Sequence, residues 1–546
     1  MIRKEGERDE RAMWGFGLTV AIALVIRLAI VVVRRDAPID MDGAEYARHA
    51  QNLFLGFGDV GIHGGAIDGG PPLYPLAIAA LLPMIPDAQL AGGIVAALAG
   101  TALTAAVWAL GALIYDRNVA TLAAAIVAIV PMSVAVGTNV LSEMPFLALV
   151  VTGLWLLLRA LRSGRPSEAA ACGAAFGLSY LARWEGVVFP AIAFVALALP
   201  SLRARRIPRS AAIAAAASLL VMLPYVANLY RISGHLRLEG ESVVNAVLAD
   251  GMMRGESYLS IADALDADGR PRGPEIDPRY TDLHETMPGP SLQRRIVLAA
   301  HAAVRHARDL MAALAGRDFG WGLLAVLAVV GLTHSAWSPQ RRADEAVLLG
   351  TVALLYLALT SVWHFWPRYA VVFAPFLALW SAKGSRELAA WSRASRIPNV
   401  GTLALATFTA VALATDVQQA REDRVAPERL AGAWIRQQVA DPFIVDISDR
   451  VAYYAGVHAR WQPLPYASPA LACRYLAFVQ ADFVVIDTHR AADYPPLVSW
   501  FDKGPACART SFAYRVDRLR IYRRPRSSRL EPTTPPRGRS ARWNSS

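Results

Sequence analysis

The chain has 546 residues, of which 55% are hydrophobic and only 18% charged, where a soluble chain of this size carries about a quarter charged residues. The apolar residues fall in blocks long enough to cross a bilayer as helix, about 20 residues each, and they lack the two-residue alternation of a membrane barrel. The net charge of +11 sits in short loops and a basic tail; without a basic face carrying aromatic platforms it speaks against nucleic acid as a partner.

In chain order, residues 1–12 carry both signs of charge and lack a small-residue cleavage site, so 14–33 reads as a retained first span and not a cleaved leader. Further candidate spans run over 89–113, 119–137, 145–161, 169–181, 186–199, 211–229, 319–333, 346–362, 369–380 and 401–415, about eleven in all, the shortest least secure by length. Residues 72–85 are apolar but short, open on Pro71-Pro72, and read as an interfacial helix.

Lys and Arg in short loops set the orientation. With Arg3, Lys4, Arg8 and Arg11 in the cytosol, alternate loops also fall inside: Arg117; Arg162 and Arg165; Arg203, Arg205, Arg206 and Arg209; Arg341 and Arg342; Lys383, Arg386, Arg393 and Arg396. Arg34 and Arg35 run against the pattern. The expected placement is a cell inner or plasma membrane, with the N-terminus cytoplasmic and the C-terminus outside.

That orientation puts a first loop (34–70), a long segment (231–317) and everything after Asp416 outside the cytosol. Residues 292–315 are amphipathic and predict a helix lying on the membrane surface. Beyond the spans the pattern changes: 430–439 predicts a helix, 443–446 and 483–486 predict buried strands, and 518–522 a third strand. The expected division is a membrane domain over 1–418, an extracytoplasmic α/β domain over 419–524, and a disordered basic tail over 525–546. Of three cysteines, Cys172 lies in an apolar block; Cys473 and Cys507 share the outer domain, either as a disulfide or as two unrelated thiols.

Charge near the apolar zone is costly, yet four outer turns carry it. The first is Asp40-Met41-Asp42-Gly43-Ala44-Glu45-Tyr46. On a helix from Asp42, the residues Asp42, Tyr46, Ala50, Leu53 and Phe57 share a face; the plain reading is a helix cap. The second is Ser142-Glu143-Met144-Pro145, also compatible with ordinary capping. The third is Arg183-Trp184-Glu185-Gly186, where Arg183 and Glu185 would pair in a hydrated turn. The fourth is His364-Phe365-Trp366-Pro367-Arg368-Tyr369, which alone is an aromatic belt with a snorkelling arginine. Together the four supply carboxylates, two arginines, a histidine and aromatics on one membrane face. That set suits sugar transfer from an anionic lipid phosphate: a carboxylate takes the acceptor proton, and arginines neutralise the departing phosphate.

The order Asp42, Tyr46, Ala50, Leu53, Gly56, then Pro71-Pro72-Leu73-Tyr74-Pro75-Leu76, Ser142-Glu143-Met144-Pro145 and Gly177-Leu178-Ser179-Tyr180-Leu181-Ala182-Arg183-Trp184-Glu185-Gly186 resembles the GT-C membrane glycosyltransferases. The nearest branch looks like the bacterial relatives of protein O-mannosyltransferases and of the lipid A aminoarabinose transferase. Leu223-Pro224-Tyr225 with Asn228 and Gly234, Arg368-Tyr369 with Pro375, and Tyr453-Tyr454-Ala455-Gly456 are similar to later segments of that family. The resemblance implies inverting transfer from a polyprenyl-phosphate sugar to an acceptor hydroxyl on the outer face, with Asp42 as general base.

On that resemblance the expected catalytic set is Asp42, Glu45 and Glu143. Arg183, Arg368 and His364 are the expected donor-phosphate ligands; Tyr46, Tyr74, Trp184, Glu185 and Tyr369 are the expected substrate contacts. Two departures stand out. The family's adjacent Asp-Glu is Asp42-Gly43 here, and Glu143 stands where an Asp is usual. Asp40 and Asp42 form an Asp-x-Asp, which in some branches holds a divalent metal; Mg²⁺ or Mn²⁺ would suit it. The partners implied are the polyprenyl-phosphate sugar, the lipid bilayer and an acceptor that is a lipid, a glycan or a protein. The alternative is a polyprenyl-lipid or small-molecule transporter, a class that favours mid-membrane charges and internal repeats.

Overall fold

The computed structural model describes residues 2–524 apart from 66–69, 200–207, 235, 239–241, 269, 271–289, 321, 335–337, 363, 395–406, 413, 416–417, 419–425, 491–494 and 504–509. Of the expected span at 401–415, residues 407–412 and 414–415 are described and are helical; Arg203, Arg205 and Arg206, Cys507 and the basic tail fall outside the described residues.

The chain begins with a long helix α1 (Ile2–Val33), then α2 (Met41–Phe54) and α3 (Leu73–Leu81). The bundle continues with α4 (Ala88–Ile114), α5 (Arg117–Ile129), α6 (Pro131–Val136), α7 (Glu143–Ser163), α8 (Pro166–Ala182), α9 (Val188–Ala198) and α10 (Arg209–Ser233). Three helices follow in the long middle segment, α11 (Ser242–Met253), α12 (Tyr258–Ala262) and α13 (Leu292–Ala315). Helices α14 (Leu323–Thr333), α15 (Pro339–Leu359) and α16 (Ala374–Ala394) complete the described bundle. Among the described residues, four helices are long and apolar enough to cross a membrane: Met13–Val33 within α1, α4, α7, and Arg209–Ile232 within α10. Helices α5, α9 and α14 are apolar but shorter, so the chain is an α-helical polytopic membrane protein whose spans are of unequal length.

The span expected at 119–137 is divided. Pro131 has no N–H to donate and its ring blocks the preceding turn, so α5 stops at Ile129 and α6 starts anew. The carbonyls this frees lie in an apolar bundle, where an unmet acceptor is expensive. Arg27 of α1, fully buried, donates to the Ala128 carbonyl at 3.0 Å, to Val127 at 3.1 Å and to the Ser133 hydroxyl at 3.1 Å. Helices α14 and α16 meet backbone to backbone, because a Cβ on Gly331 would strike the Trp380 carbonyl and one on Gly384 the Leu327 carbonyl.

Helix α4 fixes the scale. Its 27 residues span about 40 Å. At its start the Gln89 amide donates to the Ala37 carbonyl at 2.9 Å; at its end the Leu113 carbonyl accepts from Arg162 at 2.9 Å. Arg162 also pairs with Asp344 at 2.6 Å, and Arg386 with Asp116 at 2.5 Å. The basic loops expected in the cytosol therefore gather at the end of the bundle opposite Asp40 and Asp42.

The C-terminal unit holds α17 (Pro427–Gln438), α18 (Arg450–Tyr454), α19 (Pro469–Val479) and α20 (Pro495–Asp502) around a five-stranded sheet. Its strands are β1 (Phe443–Asp446), β2 (Arg460–Pro463), β3 (Phe483–Asp487), β4 (Ser511–Val516) and β5 (Leu519–Arg523), ordered β2-β1-β3-β5-β4. β1 runs parallel to β2 and β3, while β5 is antiparallel to both β3 and β4. The three strands expected from sequence are the central ones. The two unexpected strands are the edges: β2 ends on Pro463, and β4 is largely exposed, so neither carries a buried apolar run. Cys473 is disulfide-bonded and Cys172 is a free, buried thiol.

Candidate active site

Helix α2 starts with Asp40 as its cap: the Asp40 carboxylate accepts from the Asp42 N–H at 3.2 Å. The capping role open to Asp42 is thus filled by its neighbour. Asp42 sits in the first turn with its side chain 46% exposed, ion-paired to Arg368. Asp40 pairs with the same guanidinium at 3.2 Å, and Glu143 approaches it at 3.7 Å.

Glu143 opens α7 and is only 1% exposed. Its carboxylate lies 3.3 Å from Arg183. Arg183 in turn grips Glu185, at 2.8 Å through one terminal nitrogen and 3.3 Å through Nε, and donates to the Ser142 hydroxyl at 3.3 Å. The tight turn that delivers Arg183 depends on Gly186, where any Cβ would run into the Tyr180 and Ser179 backbone. Four carboxylates therefore surround two guanidiniums, with Glu143 between them.

Aromatic rings frame the charges. Tyr369 lies between the two arginines, its ring centroid 6.0 Å from the Arg183 guanidinium and 5.6 Å from that of Arg368. The Tyr46 hydroxyl shares a 3.1 Å hydrogen bond with Ser142, and burial pushes it well above the ordinary tyrosine pKa, so it stays neutral. The Tyr74 ring meets Tyr46 edge-on at 5.3 Å, but its own hydroxyl donates to the Gly92 carbonyl at 2.9 Å. Tyr74 is fully buried and supports Tyr46 from behind. Trp184 is half-buried beside Glu185 in the same turn.

Two residues expected at the site face elsewhere. Glu45 accepts the Ile62 N–H at 3.2 Å and has Arg48 and Asp449 as its charged neighbours. His364 packs its ring on Trp366 at 4.9 Å, near Arg305 and Asp309 of α13. Gly43 has its own reason: a Cβ there would stand 2.9 Å from the Val140 carbonyl oxygen and 3.1 Å from the Val140 Cβ, so a second carboxylate has no room next to Asp42. Asp40 and Asp42 share a guanidinium where a divalent cation would have to sit. Among the described residues no three His, Cys, Asp or Glu side chains are grouped to hold a metal ion, and no step below runs through one.

The structure also brings in residues outside the expected catalytic, phosphate-binding and substrate-contact sets, among them Asp40, which was expected only as a metal ligand. Ser142 bridges Tyr46 and Arg183, and its place in the Ser-Glu-Met-Pro turn was the available signal. Asp40 joins the Arg368 cluster. Asp59 pairs with His49 at 2.5 Å and accepts from Asn228 of α10 at 2.9 Å, tying the first loop to the bundle. An apolar cavity of about 350 Å³ opens between α13, α15 and α16, lined by Leu310, Leu314, Tyr356, Phe373, Phe376 and Trp380.

The chain superposes on the Archaeoglobus fulgidus oligosaccharyltransferase determined with Zn and sulfate, with TM-score 0.59, 16% identity, and 90% of this chain and 70% of that one covered. It superposes on ArnT from Cupriavidus metallidurans bound to undecaprenyl phosphate, with TM-score 0.57, 12% identity, and 92% and 97% covered. The chain has the fold of the GT-C glycosyltransferases. Within that fold, residues 69–230 match the family model for dolichyl-phosphate-mannose-protein mannosyltransferases, a stretch that runs from α3 to α10 and includes Glu143, Arg183 and Glu185. A third GT-C neighbour is archaeal AglB in complex with an inhibitory peptide and a dolichol-phosphate, with TM-score 0.57, 15% identity, and 91% and 72% covered. No curated protein sequence matches the chain.

Proposed function

We propose that the chain is a glycosyltransferase that moves a sugar from a polyprenyl-phosphate carrier to an acceptor hydroxyl at the extracytoplasmic membrane face, with inversion. The observation that carries the reading is the sharing of Arg368 by Asp42, Asp40 and Glu143. At rest the arginines are saturated with carboxylates. An incoming phosphate competes for Arg368 and Arg183, and in taking Arg368 it frees Asp42. Asp42, 46% exposed, is the most accessible of the three, and Asp40, at 37%, is held as the α2 cap; Glu143, 1% exposed, stays behind as the counter-ion that bridges the two guanidiniums.

The released Asp42 accepts the acceptor's O–H proton as the acceptor oxygen bonds to the anomeric carbon. The carbon–oxygen bond to phosphate breaks, and its electron pair leaves on the phosphate oxygen. Arg183 and Arg368 stabilise that negative charge by charge-assisted hydrogen bonds. Attack from the side opposite the leaving group inverts the anomeric centre. The apolar cavity, which is lined in part by Phe373, four residues beyond Tyr369, and by Leu349 of α15, accommodates isoprene units of the carrier.

The outer face is assigned by the Lys/Arg bias, and with it a cell-membrane location, a membrane domain over 1–418 and an outer domain over 419–524. A reporter joined after Arg524 then reads as extracytoplasmic and one joined after Gly164 as cytoplasmic. The polar site at one end of the bundle favours an enzyme over a transporter, which works from the mid-membrane. The deciding experiment incubates membranes containing the chain with a panel of radiolabelled polyprenyl-phosphate sugars. Label passing to an acceptor with wild-type chain, and not with Asp42→Asn, supports the reading; no transfer from any donor removes it.

A further inference from the structure

Helix α2 carries a second charged residue whose environment is unlike that of Asp42. Arg48 is 1% exposed. It lies six residues beyond Asp42, about 9 Å along the helix and about 120° around it, so it points away from the charged cluster. Its guanidinium enters the C-terminal unit and donates to four backbone carbonyls: Ala459 at 2.6 Å, Gly456 at 2.7 Å, Ala452 at 3.2 Å and Tyr453 at 3.4 Å.

Those carbonyls lie at the end of α18, a five-residue helix, and in the turn that follows it, where Tyr453 and Gly456 also accept one backbone N–H each and turn a second lone pair to Arg48. Gly456, at φ +118°, bends the chain so that its carbonyl joins the ring around the guanidinium. Only a forked, multiple donor satisfies such a set; lysine has a single nitrogen to offer. Burial pulls the Arg48 pKa down to about 10, which still leaves it charged at neutral pH.

A second tether acts at the other end of the helix. The Tyr454 hydroxyl accepts the Ile39 N–H at 2.9 Å, just before the Asp40 cap, and donates to Gln89 of α4 at 2.9 Å. Arg429 of α17 donates to the Arg35 carbonyl at 2.8 Å and to Gln89 at 2.9 Å. Helix α2 is thus held on one side by Tyr46–Ser142 and on the other by the C-terminal unit.

We infer that the C-terminal unit positions the active-site helix, and that Arg48, seated in the end of α18, is the positioning residue through which it does so. Each contact is placed to set the angle of α2 and hence the reach of Asp42 to Arg368 and to an acceptor. The sheet need not touch substrate for this. The inference rests on the proposed role of Asp42 for its catalytic consequence, though not for the mechanical one.

The test uses the full chain in nanodiscs and the variants Arg48→Met, Arg48→Lys and Tyr454→Phe, with Arg515→Ala on the exposed face of β4 as control. Amide hydrogen exchange across residues 41–54 is read beside exchange in β1 and β3. In Arg48→Met the α2 amides should exchange at least about tenfold faster while β1 and β3 stay protected. With the donor found by the panel, kcat should fall roughly 10–100-fold, the scale of a small misplacement of a reacting group, while the donor KM moves less than about threefold. Arg48→Lys should recover only part of that loss, and Arg515→Ala should match wild type. Unchanged exchange in α2, or loosened α2 with wild-type kcat, overturns the inference. If Arg48→Met unfolds the sheet, Tyr454→Phe decides by the same two readouts. If Asp42→Asn itself keeps turnover, the base assignment fails alone, and hydrogen exchange still decides whether Arg48 holds α2.

Discussion

Replacing Asp42 by Asn should move donor binding and turnover in opposite directions. The Asp42–Arg368 pair is half open to solvent, with side chains 46% and 21% exposed. A pair of that kind is worth about 0.2–1 kcal/mol. Because an incoming phosphate must displace Asp42 from Arg368, its neutralisation should tighten binding of undecaprenyl phosphate by about 1.4- to 5-fold. Loss of the general base should lower kcat by about 10²–10⁴-fold. The α2 cap belongs to Asp40, so the stability lost should not exceed the pair's own contribution of about 0.2–1 kcal/mol. The assay pairs undecaprenyl phosphate titration with single-turnover transfer on purified, melt-matched protein. Turnover within about threefold of wild type, far short of a general-base loss, would show that Asp42 takes no proton. Weaker binding would show that it does not compete with the phosphate.

Gly43→Ala should cost about 1–3 kcal/mol in melting experiments and slow transfer, because its Cβ would press on Val140, three residues before Glu143. Leu349→Trp fills the apolar cavity; binding of undecaprenyl phosphate should weaken by about tenfold, from about 1–2 kcal/mol of lost apolar contact, while geranyl phosphate is spared. His306 of α13 is fully buried beside Phe365, and burial, helped by Arg305 and His364 against the opposing Asp309, lowers its pKa from 6.5 to about 4. The unfolded chain then binds the extra proton first, so stability is complete above pH 6.5 and declines as pH falls towards 4. Melting temperatures at pH 7 and pH 5 should differ less in His306→Asn than in wild type.

The residues legible from sequence were those that break an apolar pattern at short range. Arg183 and Glu185 stand two apart in one turn, and Arg368 sits between Pro367 and Tyr369; polar groups there had to face a hydrated pocket or each other. Glu45 was expected beside Asp42 on the family resemblance, as the nearest carboxylate after Asp42-Gly43 interrupts the family's adjacent Asp-Glu. Its carboxylate is drawn instead to the Ile62 backbone on the adjoining loop, a contact that no helical periodicity encodes. His364 was grouped with Arg368 by proximity in the chain, yet the intervening Trp366 and Pro367 turn it towards α13. Arg48 was silent for a different reason. Its acceptors lie some 400 residues later, at Ala452 to Ala459, and backbone carbonyls leave no trace in composition. The edge strands were missed because a sheet's margins carry the polar, proline-tolerant sequences that also mark loops.

The clasp of Arg27 on α5 has a consequence for biosynthesis. A charged arginine inside a span costs about 2.5–3.5 kcal/mol on insertion. The carbonyls that compensate it belong to residues 100 and 101 positions further on and become available only where Pro131 interrupts the helix. While α1 is the only segment made, its arginine has no such acceptors and must snorkel to a headgroup region. Within α1 the guanidinium has the Ala23 carbonyl at 3.2 Å; its other acceptors arrive only with the proline break. Security of the leading helix is thus tied to a break made a hundred residues later: Pro131→Ala should let α5 run on, withdraw the acceptors, and lower the share of chains with α1 correctly inserted even though that helix itself is unchanged.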